Sequence, residues 1–395
     1  MQSSLKTMGR ILEFRVCFPR DIRRVVLNPA LLVFVALVVN TAFQIATANS
    51  LWSSFQSFGV NQDWGVFAVY LVGFLAFFIF YEVATVVGRN LPSTVRFRLK
   101  ERRFNSVAQF LFFANVITFI ASQRAMGEAH MFNVFSGRVL AIEVENALKE
   151  SAFGVHGASL LFGYFAVALW GIQLSLSLKN RWVTASILIA AIKFVANAKA
   201  QGLLYMFFCY IALFQGKIPI RKVAFWALSV LVIFLATRVI RNPDQTFYFE
   251  YDFIFLFVLG LYLGSPVSNT TFVFQYPDAF SDLMLLFTQL LPQKLVPAPG
   301  EIIARLPDPS TPLGLVGTAF ASGGYLILIP YCALVGYGVG WLARNARLKF
   351  EYLIFSPFLL VACAFSMMYN HFLGLVSFWL PLLFCILICK YCRYR

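Results

Sequence analysis

WGVFAVYLVGFLAFFIFYEVATVVG, residues Trp64–Gly88, runs directly into RNLPSTVRFRLKERR, residues Arg89–Arg103. The first block carries a single charged residue, Glu82. It is long enough to cross a bilayer, for which a helix needs roughly 20 mostly apolar residues. The second block holds six Lys and Arg residues. Short loops rich in Lys and Arg stay cytoplasmic, so this junction orients the span. Working outward, basic blocks recur at Lys6–Arg24, Lys179–Arg181, Lys217–Lys222, Arg344–Lys349 and Lys390–Arg395. Together with Arg89–Arg103 they hold 23 of the 32 Lys and Arg residues. Both termini and four internal turns are therefore expected to face the cytosol.

The same length rule places ten spans, near Pro29–Ala48, Trp64–Gly88, Phe104–Gln123, Ser159–Leu178, Trp182–Ala198, Gly202–Phe214, Val223–Val239, Leu313–Leu342, Tyr352–Met368 and Phe372–Ile388. Ala46-Thr47-Ala48 resembles a signal-peptidase site, but the basic region and apolar run before it are long for a secretory signal. The first span is read as uncleaved. Residues 242–311 form one large outer loop with seven acids and only two cations, Lys294 and Arg305. Inside it, Tyr251–Gly264 (YDFIFLFVLGLYLG) is apolar but too short to cross unaided. A crossing there would also turn every later basic loop outward. It is read as a re-entrant or interfacial segment, which is tolerated where protein buries it or water reaches it. Ser281–Leu291 is read as a second interfacial helix, and the proline-rich stretch Pro292–Pro312 as non-helical cover. The expected fold is all-α, one polytopic domain over residues 1–395.

Composition narrows the class. The chain is 60% hydrophobic with 45 Phe and only 12% charged residues, as polytopic membrane proteins are. A net charge of +15 would point to nucleic acid in a soluble protein. Here the positive-inside bias and contact with anionic membrane lipids account for it, and no nucleic-acid partner is expected. The seven cysteines lie in spans or cytoplasmic segments, which excludes an outer disulfide framework. Cys385, Cys389 and Cys392 share a helical face and read as small packing residues.

Candidate chemistry gathers on the outer side. Nine cations lie in outer loops or within spans, among them Arg124, Arg138, Lys193, Lys199, Arg238, Arg241 and Arg305. Charges inside a span are expensive and face a cavity or a partner, although long side chains also snorkel to the interface. Lys193, Lys199, Arg238 and Arg241 are expected at one depth, where they suit a lipid diphosphate. Candidate bases are few. His371 stands in a four-residue outer turn between two helices. Asp252 and Glu250 stand at the mouth of the short apolar run, where pairing with Arg238 or Arg241 would also explain them. The chain has no HExxH, paired CxxC, P-loop or GxSxG. No metal and no cofactor is expected.

Three segments resemble the bacterial oligosaccharide repeat-unit polymerases, the O-antigen polymerase family. Tyr262-Leu263-Gly264-Ser265-Pro266-Val267 resembles the aromatic-glycine break after that family's central spans. Thr311–Gly340 (TPLGLVGTAFASGGYLILIPYCALVGYGVG) resembles its proline-led helix with an outer half, a Gly-Gly break and a glycine-lined span. Asn197–Gly202 (NAKAQG) resembles its tight outer turn with a basic residue, a place Lys199 would take. Arg138 followed by Gly154 also fits a spacing found in some of its outer loops. The resemblance covers Lys193 to Leu375.

It implies a metal-independent glycosyltransferase of the bacterial inner membrane, working at the periplasmic face. The donor would be a glycan on undecaprenyl diphosphate, the acceptor a lipid-linked repeat unit, and a polysaccharide chain-length regulator a partner. Lys199, Arg238 and Arg241 would hold the departing diphosphate, with Arg124, Arg138 and Arg305 gripping sugar or phosphate. His371 would be the base and Asp252 its rival. An O-antigen ligase would share the donor and differ in acceptor. A lipid-linked oligosaccharide flippase or other transporter would spread charges through the bundle and repeat its halves, whereas here the elaboration is one-sided.

Overall fold

The computed structural model describes residues 11–17, 27–48, 65–86, 94–127, 155–196, 200–241, 266–267, 269–277, 283–286, 313–368 and 370–394. Eleven helices carry the fold: α1 (Pro29–Ala48), α2 (Gly65–Val86), α3 (Glu101–Ala125), α4 (Gly157–Ser175), α5 (Arg181–Ala196), α6 (Ala200–Leu213), α7 (Ile220–Arg241), α8 (Gly314–Ala321), α9 (Gly324–Ala346), α10 (Phe350–Ala364) and α11 (Leu380–Cys392). Each of the ten expected spans contains a helix. Among the described residues, five runs are both long and apolar enough to cross a membrane: α2, α3, α4, α9 and Leu375–Cys392, in which a wide π turn continues into α11.

Asparagines set two of the helix starts. The Asn28 side chain accepts from the Ala30 amide at 3.0 Å, ahead of Pro29 at the first helical position. Asn180 caps α5 through the Trp182 amide at 2.9 Å, and its side-chain nitrogen donates to Asn105 Oδ1 at 2.6 Å. That bond places the start of α5 beside the first turns of α3.

α4 and α10 form the centre. Ala166, Val167, Ala168 and Leu169 of α4 are buried, as is Ile354 to Cys363 of α10 apart from Ser356. α2 packs closely against α9. A Cβ at Gly336 would fall on the Phe77 carbonyl, and one at Gly340 would meet the Tyr81 carbonyl, so these two glycines let the backbones approach. Phe110, Ile117, Phe225, Leu326 and Leu334 point outward with more than half of their surface exposed. Such a spread of outward apolar side chains suits lipid.

The all-α expectation needs one correction. β1 (Ile11–Cys17) and β2 (Thr94–Lys100) pair antiparallel, with Phe14 opposite Phe97 and Arg15 opposite Arg96. The reason lies in TVRFRLK, which alternates with period two. Val95, Phe97 and Leu99 are buried while Arg96 and Arg98 are exposed. Phe97 stacks on Phe350 at the start of α10, with ring centroids 4.2 Å apart. β2 passes without a break into α3, and its other edge meets the C-terminal segment. Leu99 bridges Arg393, and the Tyr394 amide donates to the Arg98 carbonyl at 3.0 Å. Two of the basic blocks thus meet in a sheet at one end of the bundle.

The expected span Leu313–Leu342 is broken. α8 ends at Ala321, Ser322 and Gly323 turn, and α9 begins at Gly324 with φ +61°. Gly314 also has a positive φ, and a Cβ there would strike the Met367 carbonyl. Only glycine lets the chain turn there so close to another backbone. Most of residues 242–311 lies outside the described residues, including Tyr251–Gly264 and Pro292–Pro312. In Ser281–Leu291 the described part is a 3-10 turn, Leu283–Leu286, with Leu285 buried. Residues 269–275 are helical, and Asn269, Thr270 and Thr271 are buried. Tyr70 of α2 bonds Thr270 Oγ1 at 2.8 Å, which ties this part of the loop to the bundle.

Candidate functional site

The connections give the bundle two distinguishable ends. β2 leads into the start of α3, Phe97 rests on the start of α10, and Arg393 follows α11. The sheet therefore marks one end. The far end collects the last turns of α3, α5 and α10 and the first turns of α4, α6 and α11. Nearly every buried ionisable or amide side chain discussed below lies toward that far end.

Lys193, in the last turn of α5, is fully buried. Its ammonium donates to Asn115 Oδ1 at 2.7 Å, to the Ser159 carbonyl at 3.2 Å and to Thr118 Oγ1 at 3.3 Å. An ammonium has three N–H donors, and here each meets a neutral acceptor. Asn115 is itself held by donating to the Phe162 carbonyl at 3.3 Å. At roughly 1.5 Å per residue, Asn115 and Thr118 lie about 21 and 26 Å from Glu101 along α3, in the far half of a typical bilayer core of about 30 Å. One turn further, His156 Nδ1 and Ser122 Oγ are 3.2 Å apart, both buried.

A second polar group surrounds the connection between α10 and α11. His371 opens a 3-10 turn, His371–Leu373, and is buried. Its Nδ1 is 3.1 Å from Gln201 Nε2, in the first turn of α6. Gln201 Nε2 donates to the Tyr205 hydroxyl at 2.6 Å, and that hydroxyl donates to the Ser377 carbonyl at 3.1 Å. Phe365 packs edge-on against the His371 ring with centroids 6.0 Å apart. This burial lowers the imidazole pKa from its ordinary value to about 4. Beside it, Asn370 donates to the Tyr331 hydroxyl at 2.7 Å. The Ser366 carbonyl, just past α10, receives the Leu315 amide of α8 at 2.6 Å. Aromatic rings join the two polar groups. Phe194, the neighbour of Lys193, stacks on Tyr164 at 5.5 Å, and Tyr164 meets Tyr205 edge-on at 5.2 Å.

The expected site residues fare unequally. His371 is described in full. Arg124 is exposed in the last turn of α3. Arg238 and Arg241 lie on the last turn of α7, but their side chains are outside the described residues. α7 sits at the rim of the bundle and leans on α6 through Tyr210 and Trp226, centroids 6.2 Å apart. Lys199, Arg138, Arg305, Asp252 and Glu250 lie outside the described residues. Gln201, Asn115, Thr118 and Ser159 were not singled out from the sequence. Asn115 and Thr118, three apart within FLFFANVITF, are polar interruptions of an apolar run that could have marked them. Cys385, Cys389 and Cys392 are buried with free thiols, and among the described residues no cluster of His, Cys, Asp or Glu could hold a metal ion.

Helices of this length and apolarity define a multi-helix membrane protein. No protein family, curated protein or solved structure matches the chain.

Proposed function

We propose that the protein polymerises undecaprenyl-diphosphate-linked oligosaccharide repeat units into surface polysaccharide at the periplasmic face of the bacterial inner membrane. The observation that supports this reading best is one-sidedness. Lys193, His156, Gln201 and His371 gather at the end of the bundle away from the basic sheet. Chemistry at one face needs that arrangement, and a through-going conduit does not. An acceptor hydroxyl attacks the anomeric carbon of the donor glycan, the bond to the lipid diphosphate breaks, and the hydroxyl proton passes to a base. Lys199, Arg238 and Arg241 hold the departing diphosphate, with Arg124, Arg138 and Arg305 along the glycan. The base is one of His371 and Asp252.

The deciding experiment deletes the gene in its host and examines the surface polysaccharide. Lipid cores capped by a single repeat unit support a polymerase. Free lipid-linked polymer with bare cores would replace it by a ligase. Unchanged surface glycan would remove both readings.

A further inference from the structure

An open cavity of about 710 Å³ lies at the sheet end, between the last turn of α4 and the first turns of α5. Its place follows from the Asn180–Asn105 bond, which sets the start of α5 beside the start of α3. That volume falls within the roughly 300–1,000 Å³ of small-molecule sites. Ser177, with φ +50°, makes the turn between the two helices, and Lys179 and Arg181 just beyond it line the cavity. Both are exposed, and among the described residues neither has an acidic partner. Below them, Gln173 Nε2 donates to Thr184 Oγ1 over 3.4 Å, and the Thr184 hydroxyl donates to the Asn180 carbonyl at 3.1 Å. Gln173 Oε1 is buried without a partner. The charged groups of the lining are the two cations.

Depth and surroundings favour lipid over a soluble anion. The Arg181 guanidinium lies over the Trp182 ring at 5.1 Å, and Trp182 packs on Phe112 of α3 at 5.3 Å. Lys100 over Tyr394, Arg103 over Tyr391 and Lys349 over Tyr352 repeat that pairing at the same end. Aromatic rings and basic residues gather in this way at the level of lipid headgroups. Arg181, Thr184, Ala185 and Leu188 follow the i, i+3, i+4, i+7 pattern that puts residues on one helix face. The stripe runs from charge through a hydroxyl and a small residue to Leu188, which is 61% exposed, and continues to the exposed Ile192. Leu188 and Ile192 lie roughly 10 and 16 Å from Arg181 along the helix axis. A phospholipid passes from phosphate to ester to hydrocarbon in the same order.

We propose that this cavity binds an anionic phospholipid of the adjoining leaflet. Its phosphate sits between Lys179 and Arg181, its ester region beside Thr184 and Ala185, and an acyl chain along Leu188 and Ile192. Arginine gives a phosphate paired donors, and lysine adds a point charge. Two cations beside one cavity also discriminate against zwitterionic lipid, whose own cationic group they repel. The site stands apart from the polar groups of the far end, and it does not depend on the reaction proposed above.

The test uses the full chain, delipidated in neutral detergent and titrated with palmitoyl-oleoyl phosphatidylglycerol or with phosphatidylcholine of the same chains. Native mass spectrometry counts the lipid bound. The first phosphatidylglycerol should bind roughly ten- to thirtyfold more tightly than the first phosphatidylcholine, as two cations near one headgroup imply. Lys179→Gln with Arg181→Gln should abolish that preference. Lys100→Gln with Arg103→Gln, which removes equal charge at the same end, should keep it. Equal affinities in wild type, or a preference that survives the first pair of changes, would overturn the proposal. So would a preference lost equally with either pair, since charge at this end would then act without a site. Glycerol 1-phosphate, a headgroup without chains, should not displace the lipid at equal concentration. Displacement would make the occupant a soluble phosphate and remove the lipid assignment.

Discussion

The two ends of this bundle treat positive charge in opposite ways. At the sheet end, Arg96, Arg98, Arg102, Arg103 and Arg393 are exposed, and the apolar faces beneath them do the packing. Water and anionic lipid can solvate those cations at little cost. At the far end Lys193 is enclosed, and the protein itself supplies all three acceptors. A buried charge costs several kcal/mol unless it is fully bonded. The first arrangement tolerates substitution, and the second does not. The difference separates charge that orients a protein in its membrane from charge held in place by design of the interior.

The sharpest way to break this contrast is to remove one acceptor at the far end. Asn115→Leu should destabilise the protein by about 3 kcal/mol or more, because the ammonium stays buried and under-bonded. Lys193→Met should cost less, and the double variant should recover much of the loss, since both polar partners are then replaced by apolar groups of similar volume. Arg103→Met at the sheet end removes a bond to the Tyr391 carbonyl and a stack on the Tyr391 ring. It should cost no more than about 1 kcal/mol. Thermal melts in detergent measure all four. A double variant no better than Asn115→Leu would mean that Lys193 is not the group Asn115 serves.

The second test asks whether the cations proposed to hold the diphosphate work on substrate. Lys199→Ala, Arg238→Ala and Arg241→Ala should each slow polymerisation of a purified lipid-linked repeat unit about ten- to a hundredfold. That corresponds to roughly 1.5–3 kcal/mol for one charge-assisted contact. Unchanged rates in all three would take the diphosphate away from these residues.

Much of this was legible in the sequence, and the limits are physical. Helix positions followed from runs of apolar residues, because a membrane leaves no other economical way to satisfy the backbone. The break at Ser322–Gly323 was visible as a pair of glycines. The sheet was missed because basic blocks read as loops, although TVRFRLK carries the alternation of a half-buried strand. Lys193 was recognisable as a charge within a span, but nothing in a single sequence says that Asn115 and Ser159 come to meet it from other helices. Gln201 sits in the quoted NAKAQG turn, yet its tie to His371 joins residues 170 positions apart. Long-range pairing of that kind follows from packing.

A third test uses pH. Burial holds the His371 imidazole down to about 4 in the folded chain, against about 6.5 when unfolded. Between those values the unfolded chain binds a proton that the folded one refuses, so stability falls as pH drops from 6.5 toward 4. The loss approaches about 1.4 kcal/mol per pH unit, or about 2 kcal/mol between pH 7 and pH 5. His371→Asn should flatten that part of the profile. Equal slopes in wild type and variant would mean that His371 is not desolvated.

The smallest effect comes from the sheet, where the contrast can be inverted. Cross-strand register sets Arg15 opposite Arg96, while Glu13 faces Arg98. Like charges directly opposite each other weaken a strand pair, and opposite charges strengthen it by roughly 0.2–1 kcal/mol. In neutral detergent, Arg96→Glu should therefore stabilise the β1–β2 pair within that range, read as slower amide exchange over residues 94–100. In bilayers containing phosphatidylglycerol the gain should shrink or reverse, because anionic headgroups favour the exposed Arg96 and would repel the acid that replaces it. The same gain in both environments would mean that lipid does not reach this face. The sheet's charge would then have to be balanced by protein, as it is around Lys193.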